Sequence, residues 1–351
     1  MRRILALALM AIAGLTTIEL ASSYVLFRYY AHSQKSVVLK GSAAWMLLDG
    51  TINKVRGKHP LPVLSIDHGQ LFEPSETLGY ALHPGKYHIQ EELDRKRHLF
   101  ELTVTDEGRR ATSYIPVQSN KRILMAGDSS LFGWGLDDEQ TVPWLMQARL
   151  PNVEVVNLSL TSYSTVHALL QLLQIVPRVG PDDIVAIEYH QLSNKLNVEA
   201  PDVLESIKDG YETELGDARM REMKLPFGAI DAQGKLTIQH VSLSCAFDPA
   251  KPDCVRTKFD LGRAMQVTKL AFDQILALRP KHLLIIFLSG ADDDPVIEHL
   301  RSRGGMIADL RPGRGVGFED DLIFTDAHMG PFGQHQVAER LLEILHEQAI
   351  D

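Results

Sequence analysis

Cysteine is nearly absent, Cys245 and Cys254 being the only two in 351 residues. That excludes a small scaffold stapled by several disulfides, and a pair at this spacing without histidine partners makes a poor zinc site. An excess of positive charge is missing too. The formal net charge of -9 excludes a basic nucleic-acid-binding surface and a general binder of polyanions. Internal repeats and low-complexity tracts are lacking, and a composition 45% hydrophobic and 23% charged argues against wholesale disorder. What remains is a globular chain long enough for one large α/β core with a smaller attached unit.

One long apolar run stands out. Residues 4–27 follow Arg2 and Arg3 and carry a single charge, Glu19. About 20 apolar residues cross the hydrocarbon core of a bilayer, and the positive-inside rule keeps the arginine pair cytoplasmic. Residues 1–27 therefore read as a signal-anchor helix, with the rest of the chain on the periplasmic or extracytoplasmic side of the inner membrane. The alternative is a cleaved signal peptide, with an apolar region at 4–18 and Ala21-Ser22-Ser23 as its small-residue cleavage site. Both readings export the chain. Export agrees with a disulfide between Cys245 and Cys254 closing a short loop, two unconnected thiols being the alternative.

Residues 28–120 mix short β-like runs, at 36–39, 61–66 and 99–104, with turn signals such as Asp49-Gly50 and Pro84-Gly85, which reads as a β-rich lead-in. From Arg122 the pattern changes. Short apolar strands at 122–126, 153–158, 184–189 and 282–288 alternate with helix-length amphipathic segments at 141–150, 165–176, 261–278 and 333–347. Such alternation predicts a parallel sheet covered by helices on both faces. Residues 197–259, polar and irregular, read as an insertion over the sheet.

Ligands of open parallel sheets bind beyond the carboxyl ends of the strands. The first such position is Gly127-Asp128-Ser129-Ser130, where a serine at a strand-to-helix junction sits beside amides that favour a developing negative charge. A plain helix cap would have the same composition. Serine needs a base, and among 14 histidines one has a suitable frame: Asp326-Ala327-His328, just before the last amphipathic helix. An aspartate two residues away can orient the ring, leaving its other nitrogen free to take a proton. The G-x-S-x-G nucleophile elbow is absent around Ser129.

These residues carry a resemblance. Gly127-Asp128-Ser129 with Phe132-Gly133-Trp134-Gly135 resembles the first block of the SGNH (GDSL-like) hydrolase superfamily. The stretch from Asn157 to Thr165 resembles its second, and Asp326-Ala327-His328 with Gly333 its fifth. Phe72-Glu73-Pro74 and Gly79-Tyr80 resemble the lead-in of membrane-tethered members. The resemblance implies a three-layer α/β/α, flavodoxin-like SGNH domain over residues 121–351 with an insertion at about 197–259, preceded by the anchor and the β-rich region. It implies Ser129 as nucleophile, His328 as base and then acid, and Asp326 as its orienter. It also implies an ester-linked acyl substrate, most readily an O-acetyl group on an envelope or secreted glycan, with no cofactor or metal. Two departures stand out. Ser162 replaces the second-block glycine whose amide helps form the oxyanion hole. The third-block asparagine is replaced, with His190 at its position and Asn194 one helical turn on. These departures leave open a catalytically weak or inactive protein that binds a glycan or a partner in an export or assembly complex. A lipid-ester or thioester hydrolase is the rival within the same class.

Overall fold

The computed structural model describes residues 63–347 except 68, 94–95, 176–181, 249, 252–253, 255–258, 315, 317–320 and 324–327. The anchor expected at 1–27 and the β-like run expected at 36–39 lie outside the described residues. Among the described residues no helix is long and apolar enough to cross a membrane.

Five parallel strands form the main sheet. They are β6 (Arg122–Ala126), β7 (Glu154–Asn157), β8 (Ile184–His190), β11 (His282–Ser289) and β12 (Met306–Asp309), in the order β12-β11-β8-β6-β7. Numbered along the chain this is the 2-1-3-4-5 order of flavodoxin-like sheets, and its direction of winding reverses between β6 and β8.

Alternation along each strand sends side chains into two different cores. Leu124 and Ala126 of β6, with Val185 and Ile187 of β8, pack against one helical layer. That layer contains Thr165–Ile175 and Leu261–Ala277. Ile123 and Met125, with Ile184 and Ala186, pack against the other, which contains Val142–Arg149 and Pro331–Glu347. With both faces covered, the strands read as continuous apolar runs. Each fully buried Leu, Ile or Phe contributes about 1.5–3 kcal/mol, so the strands of lowest polarity fix the register.

The lead-in is a three-stranded antiparallel sheet, β1 (Val63–Asp67), β4 (Gly85–Leu93) and β5 (Lys96–Val104), with a hairpin of β2 (Phe72–Ser75) and β3 (Gly79–Leu82). Its apolar side chains join a third core with Phe132, Trp134, Leu160 and Tyr163 from the loops after β6 and β7. The insertion is more regular than its composition predicts. It holds a helix, Pro201–Glu222, kinked at Gly216 (φ 71°, ψ 151°), and a hairpin of β9 (Lys224–Ile230) with β10 (Leu236–Ser242). Tertiary burial explains the difference: Leu204, Ile207, Met220, Leu225 and Phe227 close the third core, which outweighs weak local propensity. The expected disulfide Cys245–Cys254 is present.

Candidate active site

The strands end where the topology reverses, and the candidate residues gather there. After β6 the chain turns at Gly127, caps a single helical turn (Ser129–Phe132) with the Asp128 side chain, and leaves it through Gly133 in the left-handed region at φ 81°. This turn, α1, starts with Ser129 half-buried at its first position. The His328 Nε2 lies 2.7 Å from Ser129 Oγ, across 199 residues of sequence. Hydrogen-bond contact at that distance fits a base able to take the serine proton.

Short contacts carry His328. Its carbonyl accepts from Ile323 N–H at 2.8 Å, and Leu322 and Met329 form an antiparallel bridge. Asp321 accepts from the Gly330 amide through its carbonyl at 2.7 Å and from the Gly333 amide through Oδ2 at 2.8 Å. Gln334, buried in the final helix (Pro331–Glu347, α2), donates to Ser130 O at 2.8 Å and accepts from Val142 N–H at 2.9 Å. The last helix is thereby tied to the turn that presents Ser129. Asp326, the expected orienting carboxylate, lies outside the described residues.

The loop after β7 supplies Ser162, a non-glycine residue at φ 62°, a conformation that costs roughly 1–2 kcal/mol for an L side chain. The lead-in holds it there. The Tyr80 hydroxyl donates to Thr161 O at 2.6 Å and the Tyr163 hydroxyl donates to Tyr80 O at 2.5 Å. The Ser162 amide does not face an open cleft. It donates to Asp128 Oδ1 at 2.7 Å, and the Ser129 amide donates to the same oxygen at 2.5 Å.

Asp128 Oδ2 in turn lies 3.2 Å from His190 Nε2, which is 3.8 Å from Glu188 Oε1. Glu188 is buried at 3% exposure, and its Oε2 accepts from the Asp128 and Leu131 amides at 2.8 and 3.1 Å. Burial opposes the charge of Asp128, yet the His190 hydrogen bond and charge, helped by the two amides, hold its carboxyl below the ordinary range. For Glu188 burial prevails and pushes its carboxyl up, and the Asp128 charge adds to that. Burial works against protonated His190, but the hydrogen bond to Asp128 and the field of Glu188 outweigh it, so the imidazole is raised. Asn194 is directed elsewhere: its Nδ2 donates to Tyr189 Oη at 3.0 Å and Gln191 O at 3.2 Å, and the residue is fully buried. Of the two third-block candidates, His190 stands beside Asp128, while the Asn194 amide faces the interior.

Gly127 explains why the turn can sit on a glutamate. A Cβ there would lie 2.4 Å from Glu188 Oε2 and 2.5 Å from Glu188 Cβ. Gly127→Ala is expected to destabilise the fold by about 1–3 kcal/mol, as overpacking of a closed site does, measurable as a lowered midpoint in urea unfolding at unchanged m-value.

His167 lies just behind the Ser162 loop, stacked on Tyr163 at 4.3 Å, with Nδ1 accepting from Ser164 N–H at 3.2 Å. Burial lowers its pKa to about 3 from 6.5. The unfolded chain therefore binds a proton between those values that the folded chain excludes, so stability falls as pH drops below 6.5, by about 1.4 kcal/mol per unit. His167→Gln is expected to remove that acid limb, seen by comparing unfolding free energies of the two proteins from pH 7 to 4.

No protein-family model matches this chain. A curated relative, the chloroplastic ent-beyerene synthase of Oryza sativa subsp. japonica, is 26% identical over 129 residues, 35% of this chain and only 14% of that protein's length. Similar solved structures include TesA, with TM-score 0.39, 14% identity and coverage of 65% of this chain and 99% of that one. The psychrotrophic esterase EstA from Pseudoalteromonas sp., inhibited by monoethylphosphonate, has TM-score 0.38, 10% identity and coverage of 66% and 100%. The acetylxylan esterase Axe2 from Geobacillus stearothermophilus has TM-score 0.34, 12% identity and coverage of 65% and 95%. At identities and TM-scores this low they carry no argument about fold or activity.

Proposed function

We propose that the chain is an SGNH-type serine hydrolase or acyltransferase acting on ester-linked acyl groups. The observation that carries this reading is the 2.7 Å contact between Ser129 Oγ and His328 Nε2, at the carboxyl ends of parallel strands where such sheets bind ligands. Ser129 Oγ attacks the ester carbonyl while His328 Nε2 takes its proton, and Asp326 orients the imidazole. The tetrahedral oxyanion collapses, the bond to the leaving alcohol breaks, and His328 returns the proton to that alcohol. Water or a second hydroxyl then resolves the Ser129 ester by the reverse sequence.

The substrate reading is narrower: an O-acetyl group on an envelope or secreted glycan, presented to a domain held at the membrane by the N-terminal segment. Its support is the resemblance of the sequence blocks and of the lead-in to tethered members. A panel of p-nitrophenyl esters tests it. Acetate should be cleaved at least about tenfold faster than octanoate, a difference of roughly 1.4 kcal/mol in the barrier; a preference for the longer chain would favour the lipid-ester reading. The engagement of both amides by Asp128 favours a second reading, a glycan- or partner-binding protein of low activity. Equal acetate hydrolysis by the wild type and Ser129→Ala would favour it.

A further inference from the structure

Two backbone amides, Ser129 and Ser162, converge on one point beside the Ser129 hydroxyl. Convergent amides next to a nucleophile form a seat for an oxyanion, the geometry that stabilises an acyl-transfer intermediate. Here the seat holds an anion already, because both N–H groups donate to Asp128 Oδ1, at 2.5 and 2.7 Å. Each N–H makes one good hydrogen bond, so the same amides cannot serve an ester oxygen while Asp128 stays. A carboxylate in the seat would also repel the charge that develops there.

The opposite oxygen of Asp128 faces an imidazole. His190 Nε2 stands 3.2 Å from Oδ2 and 3.8 Å from Glu188 Oε1. Glu188 is anchored from below by the amides of Asp128 and Leu131, and its Oε1 has no hydrogen-bond partner. The imidazole thus lies between the carboxylate of Asp128, itself buried on the turn after β6, and that of Glu188, inside strand β8. Rotating the Asp128 side chain toward His190 would exchange two amide bonds for a closer ion pair and empty the seat without moving the backbone.

Resting on the hydrolase reading above, we infer that Asp128 is the resting occupant of the oxyanion seat and that His190 is the positioning residue that draws it out when an acyl oxygen enters. Charge-assisted hydrogen bonds are roughly twice as strong as neutral ones. A carboxamide at position 128 holds the seat more weakly, and a carboxamide at position 190 leaves Asp128 without the imidazole to retract to. The two substitutions therefore act in opposite directions.

The experiment measures labelling of the full-length protein by a fluorophosphonate, in which Ser129 Oγ bonds to phosphorus, fluoride departs and His328 takes the hydroxyl proton. Asp128→Asn is expected to label about tenfold faster than the wild type, and His190→Gln about tenfold slower, each tenfold corresponding to about 1.4 kcal/mol in the barrier. Adding Asp128→Asn to His190→Gln should restore the rate. A residue that merely braces the turn predicts loss in all three. Slower labelling by folded Asp128→Asn overturns the inference. If Asp128→Asn does not fold, faster labelling by His190→Gln overturns it. A second readout needs no nucleophile: in the Ser129→Ala background, acetate ion is titrated while the Ser162 amide proton is followed by NMR. Acetate should shift that proton in Ser129→Ala/Asp128→Asn at concentrations without effect on Ser129→Ala alone, and equal response of both contradicts the occupied seat. Absence of labelling in every protein, with that NMR difference retained, would remove the hydrolase reading and leave the occupied seat standing.

Discussion

Substituting Ser129 by alanine should lower the hydrolysis of p-nitrophenyl acetate by about 10⁴- to 10⁶-fold in kcat, the range seen when a nucleophile acting as one unit with its base is removed. His328→Gln should give a similar loss, and the double variant little more than either alone. The reason is geometric. Ser129 Oγ and His328 Nε2 lie 2.7 Å apart, and in the proposed reading they act as a single proton-transfer pair, so losing one partner disables the other. Additive losses in the double variant would mean that the two residues act separately, which the shared contact does not allow.

The largest effect on stability is expected at Arg110, which no sequence motif singles out. Its side chain is completely buried, paired through Nε with Asp138 Oδ1 at 2.9 Å. Its other nitrogens donate to the carbonyls of Phe132 at 3.1 Å, Gly133 at 2.6 Å and Leu136 at 2.5 Å, and the guanidinium lies 5.2 Å from the centre of the Phe132 ring. One residue of the lead-in thus closes the carbonyl end of the turn that begins with Ser129. Arg110→Met would take the guanidinium away from the buried Asp138 carboxylate and from the carbonyls it holds, leaving a buried charge without its counter-ion, at a cost of about 3–5 kcal/mol. Arg110→Lys should recover little, because a point-charge ammonium cannot match the planar fork. Asp138→Asn added to Arg110→Met should recover part of the loss by removing the uncompensated charge. Urea denaturation of the four proteins measures this, and a loss below about 1 kcal/mol, the worth of an exposed pair, would contradict the buried-clamp account.

The central sheet was legible because its strands are apolar on both faces. Ile123 to Ala126 and Leu283 to Leu288 admit no other burial, and the helices between them carry a regular apolar stripe. Strand β12 was not legible, for its four residues Met306–Asp309 are too short to show a period. The regular elements of the insertion are hidden in the sequence for another reason. The helix Pro201–Glu222 is rich in charge and interrupted at Gly216, and its few apolar residues gain meaning only from the lead-in strands they cover.

At the site, Ser129 and His328 could be read from local motifs, since a strand-end serine and a loop histidine before a terminal helix have chemistry of their own. The partners beneath them could not. Glu188 is a lone acid in an otherwise apolar strand, and nothing nearby in sequence says that it receives two amides from the turn at Gly127. Its one signal was the presence of a carboxylate where burial demands partners. Gln334 had no signal, because its two hydrogen bonds reach 192 and 204 residues back along the chain. Ser162 could be placed beside Ser129 from the second-block resemblance, but which oxygen its amide bonds to depends on the Asp128 rotamer, which no motif encodes.

The glycines show the same division. Gly135, at φ 79°, leaves room for Ile323, whose Cδ1 would sit 2.6 Å from an added Cβ. Ile323 in turn supports His328 through its amide. A glycine-rich turn is visible in the sequence; what it makes room for is not.

The most direct measurement is fluorophosphonate labelling followed by mass spectrometry of the digested protein. A single adduct on Ser129, abolished by His328→Gln, is the predicted result. An adduct on a different residue, or one on Ser129 that forms at the same rate without the imidazole, would contradict a hydrolase built on this pair.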